Sequence, residues 1–142
     1  MIWKQKVQLE KLNDRQKDMA SFLEIQFSEI TENSLTATMP VTDKVRQPYG
    51  ILHGGASVVL AETVGSFASS LVVDIDKFMV VGMEINANHL RPVASGFIKA
   101  VCTPIHLGKS SHVWDIKIYN AKSQLTCISR LTVAVIAHQK FK

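Results

Sequence analysis

The sequence predicts an α+β fold in which a curved antiparallel sheet wraps one long central helix. Residues 54–73 form an apolar stretch of twenty residues with a single charge, at Glu62. Residues 80–137 contain four runs rich in β-branched residues, separated by turns. A sheet can bury a lone apolar helix by curving around it. We therefore expect one domain spanning residues 1–142, long enough to bury a core without metals or disulfides.

Three shorter elements are predicted before the long helix from the spacing of their apolar residues. A polar segment with leucines three apart is typical of a short helix, and segments in which apolar and polar residues alternate are typical of antiparallel strands. These are, in order, the helix 8–18 and the strands 22–30 and 35–41. The next segment, residues 42–53, contains proline and glycine and is predicted to be a loop.

Four strands are predicted after the long helix. Each run is longer than an average strand, as expected of a sheet that curls around something. They cover residues 80–90, 96–106, 111–120 and 124–137, with turns at 92–95, 108–110 and 121–123. Two strands, one long buried helix and four antiparallel strands are the element order of the hotdog fold.

Residues 54–73 also have the length of a membrane span. However, six of these twenty residues are Ser, Thr or Glu, and Gly65 lies near the middle, which is unfavourable for insertion. We therefore expect a helix buried in a protein core and no association with a membrane. The first residues lack the apolar run of a signal peptide, and Cys102 and Cys127 lie in separate apolar stretches. A cytoplasmic protein with reduced thiols is expected.

The charge is unevenly distributed along the chain. Residues 1–84 contain 8 Lys or Arg against 11 Asp or Glu, whereas residues 85–142 contain 8 Lys or Arg and one acid, Asp115. A basic half can bind nucleic acid, a membrane surface or a polyanionic small molecule. Because the basic residues are scattered singly along alternating strands, without interleaved stacking aromatics, they do not fit a nucleic-acid site. They favour a small phosphorylated ligand over a merely solvated face.

Glu62 is the first candidate for catalysis. Burying a lone carboxylate as an ion is costly, so the group must have a partner, be protonated or face a cavity. Its neighbours one helical turn away, at positions 58, 59, 65 and 66, are Val, Val, Gly and Ser, none of which can form an ion pair. We favour a catalytic carboxylate over the alternative of a capping or interface ion pair.

Gly54 and Gly55 begin the helix and can complement that carboxylate. Free amides in a first helical turn, assisted by the helix dipole, can hold the oxyanion that develops on an attacked thioester carbonyl. Gly54 and Glu62 are separated by eight residues, about 12 Å along the axis. One carbonyl cannot contact both groups in one chain. If two subunits place their helices antiparallel about a twofold axis, Gly54 of one can face Glu62 of the other. We therefore predict an active site shared between subunits.

The segments that carry these residues resemble a known family. They are QPYGILHGGASVVLAE (47–62), VVGMEINANHLRP (80–92), HLGKSS (106–111) and SRLTVAVI (129–136). They resemble the PaaI-like hotdog thioesterases, and among these the 1,4-dihydroxy-2-naphthoyl-CoA hydrolases of menaquinone synthesis. The resemblance covers nearly the whole chain. It implies hydrolysis of an aromatic acyl-CoA and a homo-oligomer, a dimer with shared sites that is doubled into a homotetramer.

The resemblance also implies catalytic roles for five residues. Glu62 would be the nucleophile or general base, and Gly54 the oxyanion donor. Gln47 and His53 would orient the thioester or water, and Ser66 would lie near the attacked carbon, one helical turn after Glu62. Direct attack by Glu62 and activation of water by Glu62 both remain open, and His53 could instead be a core or capping histidine.

The ligand is expected, from the same resemblance, along three segments. These comprise Gly82, His89, Leu90, Arg91, Pro92, His106, Leu107, Gly108, Lys109, Ser110 and Ser111. Arg91 and Lys109 are the candidate partners of the CoA phosphates, assisted by backbone amides of the Gly108 turn. The five histidines and two cysteines lack the spacing of a known metal motif. No metal and no cofactor are predicted.

Other functions remain as alternatives. These are a proofreading thioesterase for aryl carrier-protein thioesters of the enterobactin type, a broad-specificity acyl-CoA hydrolase, a hotdog dehydratase using His53 and Glu62, and a non-catalytic acyl-CoA-binding module. The last would have no reason to keep a buried carboxylate. Leu23, Phe67, Ser70 and Leu71 could line the acyl pocket, but their identities do not select one acyl group.

Overall fold

The computed structural model describes residues 1–14 and 17–141, which form one six-stranded antiparallel sheet around a 19-residue helix. The helices are α1 (Leu9–Asn13), α2 (Met19–Phe22) and α3 (Gly54–Val72), with a 3₁₀ turn at Asp43–Val45. The strands are β1 (Gln26–Ile30), β2 (Leu35–Pro40), β3 (Phe78–His89), β4 (Phe97–Leu107), β5 (Ser111–Asn120) and β6 (Leu125–Ala137). Their order across the sheet is β1-β2-β4-β5-β6-β3. This arrangement confirms the predicted hotdog fold.

The core lies between α3 and the concave face of the sheet. Leu60, Val64 and Ala68 of α3 are fully buried, and α3 packs against β2 to β6. A Cβ atom at Gly65 would lie 2.5 Å from Leu131 Cδ2, so a glycine is needed where the helix approaches β6 most closely. By length and composition α3 could cross a membrane, but half of its most apolar window is buried in this packing. The helix is therefore a core helix, as predicted.

The N-terminal region differs from its prediction. The helix expected over residues 8–18 ends at Asn13, Asp14, Lys17 and Asp18 are not helical, and residues 15 and 16 of that prediction lie outside the described part of the chain. Asn13 is the last residue of α1, and its side chain binds both backbone groups of Phe27. Its Nδ2 donates to Phe27 O (2.9 Å), and its Oδ1 accepts from Phe27 N–H (2.7 Å). The helix therefore ends where Asn13 binds β1, earlier than the spacing of the leucines predicted.

The strand predicted over residues 22–30 begins only at Gln26, because a short helix precedes it. Asp18 caps α2 by accepting a hydrogen bond from Ser21 N (2.7 Å). The strands after α3 agree with their predicted ranges to within two residues at each end. Cys102 and Cys127 are free and buried. Burial raises the pKa of both thiols, and the nearby charge of Asp115 further raises that of Cys102, which makes them unreactive.

Candidate active site

The start of α3 leaves one amide free to bind a ligand. His53 is the N-cap: its Nδ1 accepts a hydrogen bond from Gly55 N–H (2.8 Å), and its carbonyl accepts one from Ala56 N–H (3.0 Å). The Gly54 N–H makes no hydrogen bond within residues 1–14 and 17–141. It lies at the positive end of the helix dipole, so it can donate to a developing oxyanion.

His53 is a helix cap, one of the alternatives left open by the sequence. Since Nδ1 accepts a hydrogen bond from Gly55 N–H, the neutral ring carries its proton on Nε2. The residue is exposed. Its Nε2–H is therefore the group that can still reach a ligand, and capping does not exclude the predicted role in orienting the thioester or water.

A cleft of about 320 Å³ adjoins the free amide of Gly54. It contains six of the predicted site residues, from both the catalytic and the ligand-binding sets. They are Gln47, Gly54, His89, Leu90, Arg91 and Pro92, and the lining is completed by Ile51, Leu52, Ser57, Val93 and Thr126. The structure thus brings together residues from the loop before α3 and from the end of β3.

The loop of residues 47–50 presents Gln47 to the cleft. Gly50 N–H donates to Gln47 O (2.9 Å) and Gln47 N–H donates to Ile51 O (2.9 Å), which closes a tight turn. Gly50 has φ +86°, a conformation that favours glycine. The side-chain Oε1 of Gln47 accepts from Tyr49 N–H, so the amide NH₂ remains as a donor. That group can bind the carbonyl oxygen of a thioester.

His89 lies directly against the helix start. A Cβ atom at Gly54 would be 2.7 Å from His89 Nε2. Residue 54 must therefore be glycine for the imidazole to keep this place. The sequence assigned His89 to ligand binding, and this contact, which depends on the register of β3, was not foreseen.

Glu62 is half-buried on α3, with its carboxylate against the edge strand β3. It forms no hydrogen bond or ion pair with the described residues, so the capping ion pair that was one alternative is absent from that part of the chain. Its Oε1 lies where a side chain of Gly82 would begin, 2.5 Å from the position of a Cβ atom there. Strand β3 is irregular at this point, between Gly82 and Glu84, and such bulges are frequent next to active sites.

The catalytic residues predicted from the sequence form two groups within one chain. Gln47 and Gly54 line the cleft, with His53 adjoining them, whereas Glu62 and Ser66 lie further along α3 and do not line it. Ser66 is half-buried and follows Glu62 by one turn on the same face. Along the axis, Gly54 and Glu62 are about 12 Å apart. Within one chain, the Gly54 amide and the Glu62 carboxylate are thus too far apart along α3 to contact the same carbonyl.

The predicted ligand-binding residues are also divided. Leu107, Gly108 and Lys109 line a second cavity, of about 420 Å³, beside Val72 at the far end of α3. The turn is fixed by Gly108 N–H donating to Ser111 O (2.9 Å) and by Val135 N–H donating to Ser110 O (2.9 Å). His106 packs on Gly108, where a Cβ atom would lie 2.6 Å from its Nε2. Within one chain, the length of α3 therefore separates this turn from the segment His89 to Pro92.

The suggested acyl-pocket residues do not all face open space. Leu71 is 7% exposed and belongs to the core, so it cannot line an open pocket. Phe67 contacts Phe27, with ring centroids 4.9 Å apart, and Ser70 Oγ donates to Phe67 O (2.7 Å). Leu23, Phe67 and Ser70 remain half-exposed. In the described part of the chain, no group of three His, Cys, Asp or Glu residues could hold a metal ion.

His112 is a buried polar residue that the sequence did not single out. It is 2% exposed, and its Nδ1 lies 3.0 Å from Ser69 Oγ, which also accepts from Trp114 Nε1 (2.7 Å). Burial lowers the pKa of His112, the charge of His106 lowers it further, and a hydrogen bond to the Gly108 backbone partly opposes both effects. His112 lines the second cavity, together with the charged residues Lys4, Asp74 and Lys109.

The stability of the protein should decline in mild acid because of His112. Its folded-state pKa is below its ordinary value of about 6.5, so the unfolded chain binds more protons in the window between these two values. The contribution is fully present above about pH 6.5 and is lost as the pH falls through the folded-state pKa. Thermal unfolding from pH 7.5 to 5.5 should show a smaller fall in Tm for His112→Gln than for wild type. An undiminished fall would assign the acid sensitivity to other groups. His138→Gln, at an exposed histidine, is the control.

Comparison with known proteins gives the family. Residues 49–127 match the model of the thioesterase superfamily. The chain is 50% identical to the 1,4-dihydroxy-2-naphthoyl-CoA hydrolase of Escherichia coli, over 96% of this chain and 100% of that protein. It is 44% identical to the proofreading thioesterase EntH of Cronobacter turicensis, over 96% and 99%. The crystal structure of a mutant of thioesterase PA1618 from Pseudomonas aeruginosa superposes with a TM-score of 0.95 at 47% identity, covering 97% of this chain and 100% of that one. The resemblance seen in the sequence motifs is confirmed, and the chain belongs to the thioesterase superfamily as a thioester hydrolase of the hotdog fold.

Proposed function

We propose that the protein hydrolyses an aromatic acyl-CoA, 1,4-dihydroxy-2-naphthoyl-CoA, to the free acid and CoA. One observation supports the chemistry: among the described residues, the Gly54 N–H at the start of α3 and the Glu62 carboxylate on the same helix both lack a hydrogen-bond or ion-pair partner. The 50% identity to the E. coli hydrolase of that substrate extends over essentially the full length of both chains, and this supports the choice of acyl group.

The proposed reaction uses these groups in fixed roles. The thioester carbonyl oxygen accepts from Gly54 N–H, and the Gln47 amide and His53 Nε2–H orient the carbonyl or the water. Glu62 either attacks the carbonyl carbon, forming an anhydride that water then opens, or removes a proton from water as that water attacks. In both routes the C–S bond breaks, CoA leaves as the thiolate, and a proton restores its thiol. The oxyanion is stabilised at the helix start.

We propose that two chains complete the site by pairing along β3. This strand lies at one edge of the sheet and is 12 residues long, and its Phe78, Val81 and Met83 are 38%, 39% and 67% exposed. A long, apolar, open edge favours pairing with another strand. The other edge strand, β1, has only five residues, and Asn13 already bonds its backbone at Phe27.

Pairing of β3 with its copy about a twofold axis makes the two α3 helices antiparallel. One half-buried face of α3 suits such contact because its residues are small, namely Val59, Thr63, Ser66 and Ser70. The geometry would bring Gly54 of one subunit towards Glu62 of the other, and the Lys109 turn of one towards the His89 to Pro92 segment of the other. We also propose a dimer of these dimers and a cytoplasmic location, as the sequence suggests.

A panel of thioesters tests the substrate. Dihydroxynaphthoyl-CoA should be hydrolysed with a kcat/KM at least about tenfold above those of benzoyl-CoA, phenylacetyl-CoA and a fatty acyl-CoA, since the pocket would fit the larger aromatic acid. The second candidate, a proofreading thioesterase, is favoured by the identity to EntH and predicts instead that an aryl carrier-protein thioester is preferred. Release of thiol reports hydrolysis. Enoyl absorbance formed from a hydroxyacyl-CoA would instead indicate a dehydratase.

Arg91 and Lys109 should contribute to binding of the CoA phosphates rather than to chemistry. We expect Arg91→Ala and Lys109→Ala to raise KM several-fold with little change in kcat, because a phosphate contact is the same in the ground and transition states. The increase in KM should be smaller for a pantetheine thioester, which lacks the nucleotide and its phosphates. Lys11→Ala, at an exposed lysine of α1, is the matched control. Equal losses on both substrates would mean that the two residues serve the fold.

A further inference from the structure

We propose that Arg46 is a positioning residue for hydrolysis, which holds the two walls of the cleft in the arrangement that presents Gln47 to the thioester. The proposal rests on the hydrolysis proposed above. Arg46 does not line the cleft, so the proposed effect on hydrolysis is transmitted through the residues that it binds. Its side chain is 28% exposed, which places most of it inside the protein.

The guanidinium group binds three residues of the connection between β2 and α3 and joins that connection to the one between β3 and β4. Its Nη1 donates to Gly50 O (3.0 Å) and to Ala94 O, and its Nη2 donates to Val41 O (3.2 Å). Nε donates to Asp43 Oδ1 (3.2 Å). These acceptors belong to the turn that carries Gln47, to the connection between β3 and β4, to the residue after β2, and to the 3₁₀ turn.

Two of these segments are the walls of the cleft. One wall is the loop from Gln47 to Gly54, and the other is the connection from Leu90 to Val93, which precedes Ala94. Among the described residues, one backbone hydrogen bond joins them, from Leu52 N to Val93 O (2.7 Å). Arg46 adds a side-chain link, because its Nη1 binds both Gly50 O in the loop and Ala94 O beside the other wall. Without it, the turn carrying Gln47 keeps only the Leu52 hydrogen bond to the opposite wall and is held less firmly against it.

Arginine suits this position because of its shape. Its planar fork presents donors in several fixed directions, and four such hydrogen bonds are made here. Lysine would keep the charge but offers one compact ammonium group, which cannot reach all of these acceptors. The ion pair itself contributes little, because Asp43 is fully exposed. The three backbone carbonyls are therefore the contacts that matter.

A double-mutant cycle with Gln47 tests the proposal. Arg46→Lys should lower kcat by about tenfold to a hundredfold, since small displacements of an orienting group are costly. If Arg46 acts through Gln47, the same substitution in a Gln47→Ala background should cost no more than about twofold. Losses that multiply in the double variant would overturn the proposal, even in a protein that hydrolyses aryl-CoA as proposed. Arg46→Gln repeats the cycle if Arg46→Lys does not fold.

Hydrogen exchange gives a second readout that does not depend on activity. In Arg46→Lys, the amides of residues 47–52 should exchange faster than in wild type, because the loop loses its link to Ala94. Lys44→Ala is the matched control: Lys44 Nζ donates to Phe22 O (2.9 Å) and lies over the Phe22 ring, away from the cleft. It should change neither kcat nor exchange of the loop. Unchanged exchange in Arg46→Lys contradicts the positioning role, whereas absence of thioester hydrolysis in wild type contradicts the proposed function alone.

Discussion

Glu62→Gln should lower kcat for thioester hydrolysis by at least about a thousandfold, with the KM for acyl-CoA nearly unchanged. The amide keeps the size of the carboxylate but can neither attack a carbonyl nor accept a proton from water. Since Glu62 makes no hydrogen bond or ion pair to the described residues, the substitution leaves no internal partner there unsatisfied. The space beside Gly82 that the Glu62 carboxylate occupies also accommodates the glutamine amide, which has the same size. The fold should therefore survive.

Steady-state kinetics and thermal unfolding, measured on the same preparation, check this expectation. Glu29→Gln on β1 is the matched control, because it removes an exposed carboxylate from the opposite edge of the sheet. It should hydrolyse like wild type. If Glu62→Gln retains a tenth of the wild-type turnover, Glu62 is not the catalytic carboxylate. If its Tm collapses, the loss of activity says nothing about chemistry, and Glu62→Asp should then be compared.

The sequence predicted best those elements in which burial alone decides which positions are apolar and which are polar. The helix α3 is apolar and carries one charge, so its existence and start at Gly54 followed from composition and from the glycine pair. The strands after it were found to within two residues because alternation and turn residues agree there. In the N-terminal region, by contrast, Asn13 pairs with Phe27 fourteen residues away. The periodicity of a short segment cannot predict a contact between residues that far apart.

The candidate site also contains features that the sequence predicted and contacts that it did not predict. Glu62 and Gly54 could be proposed on physical grounds, because an isolated carboxylate and a free helix start are visible in the sequence. The contacts of Gly54 with His89 and of Glu62 with Gly82 depend on the register of β3, which the sequence does not specify. Arg46 could not be proposed at all, since Ala94, one of the residues it joins, lies 48 positions further along the chain.

The proposed sharing of the site between two subunits leads to the second large expected effect, recovery of activity from two inactive variants. Gln47→Ala combined with Gly54→Val should disable the helix-start group, because any side chain at position 54 meets His89. Glu62→Ala should disable the carboxylate group. Each variant alone should be inactive, since in its own homodimer every site carries the lesion. The His89 ring is exposed and can move aside, so Gly54→Val should still fold.

The two inactive variants are then unfolded together in equal amounts and refolded. Random pairing makes about half of the dimers mixed, and in each mixed dimer one site combines both lesions while the other is intact. Activity should recover to about a quarter of wild type, the fraction of sites expected to be intact. Mass measurement proves that mixed dimers have formed. A site built within one chain has no intact copy in any pairing, so a mixture that contains mixed dimers yet stays inactive refutes the arrangement in which Gly54 of one subunit works with Glu62 of the other.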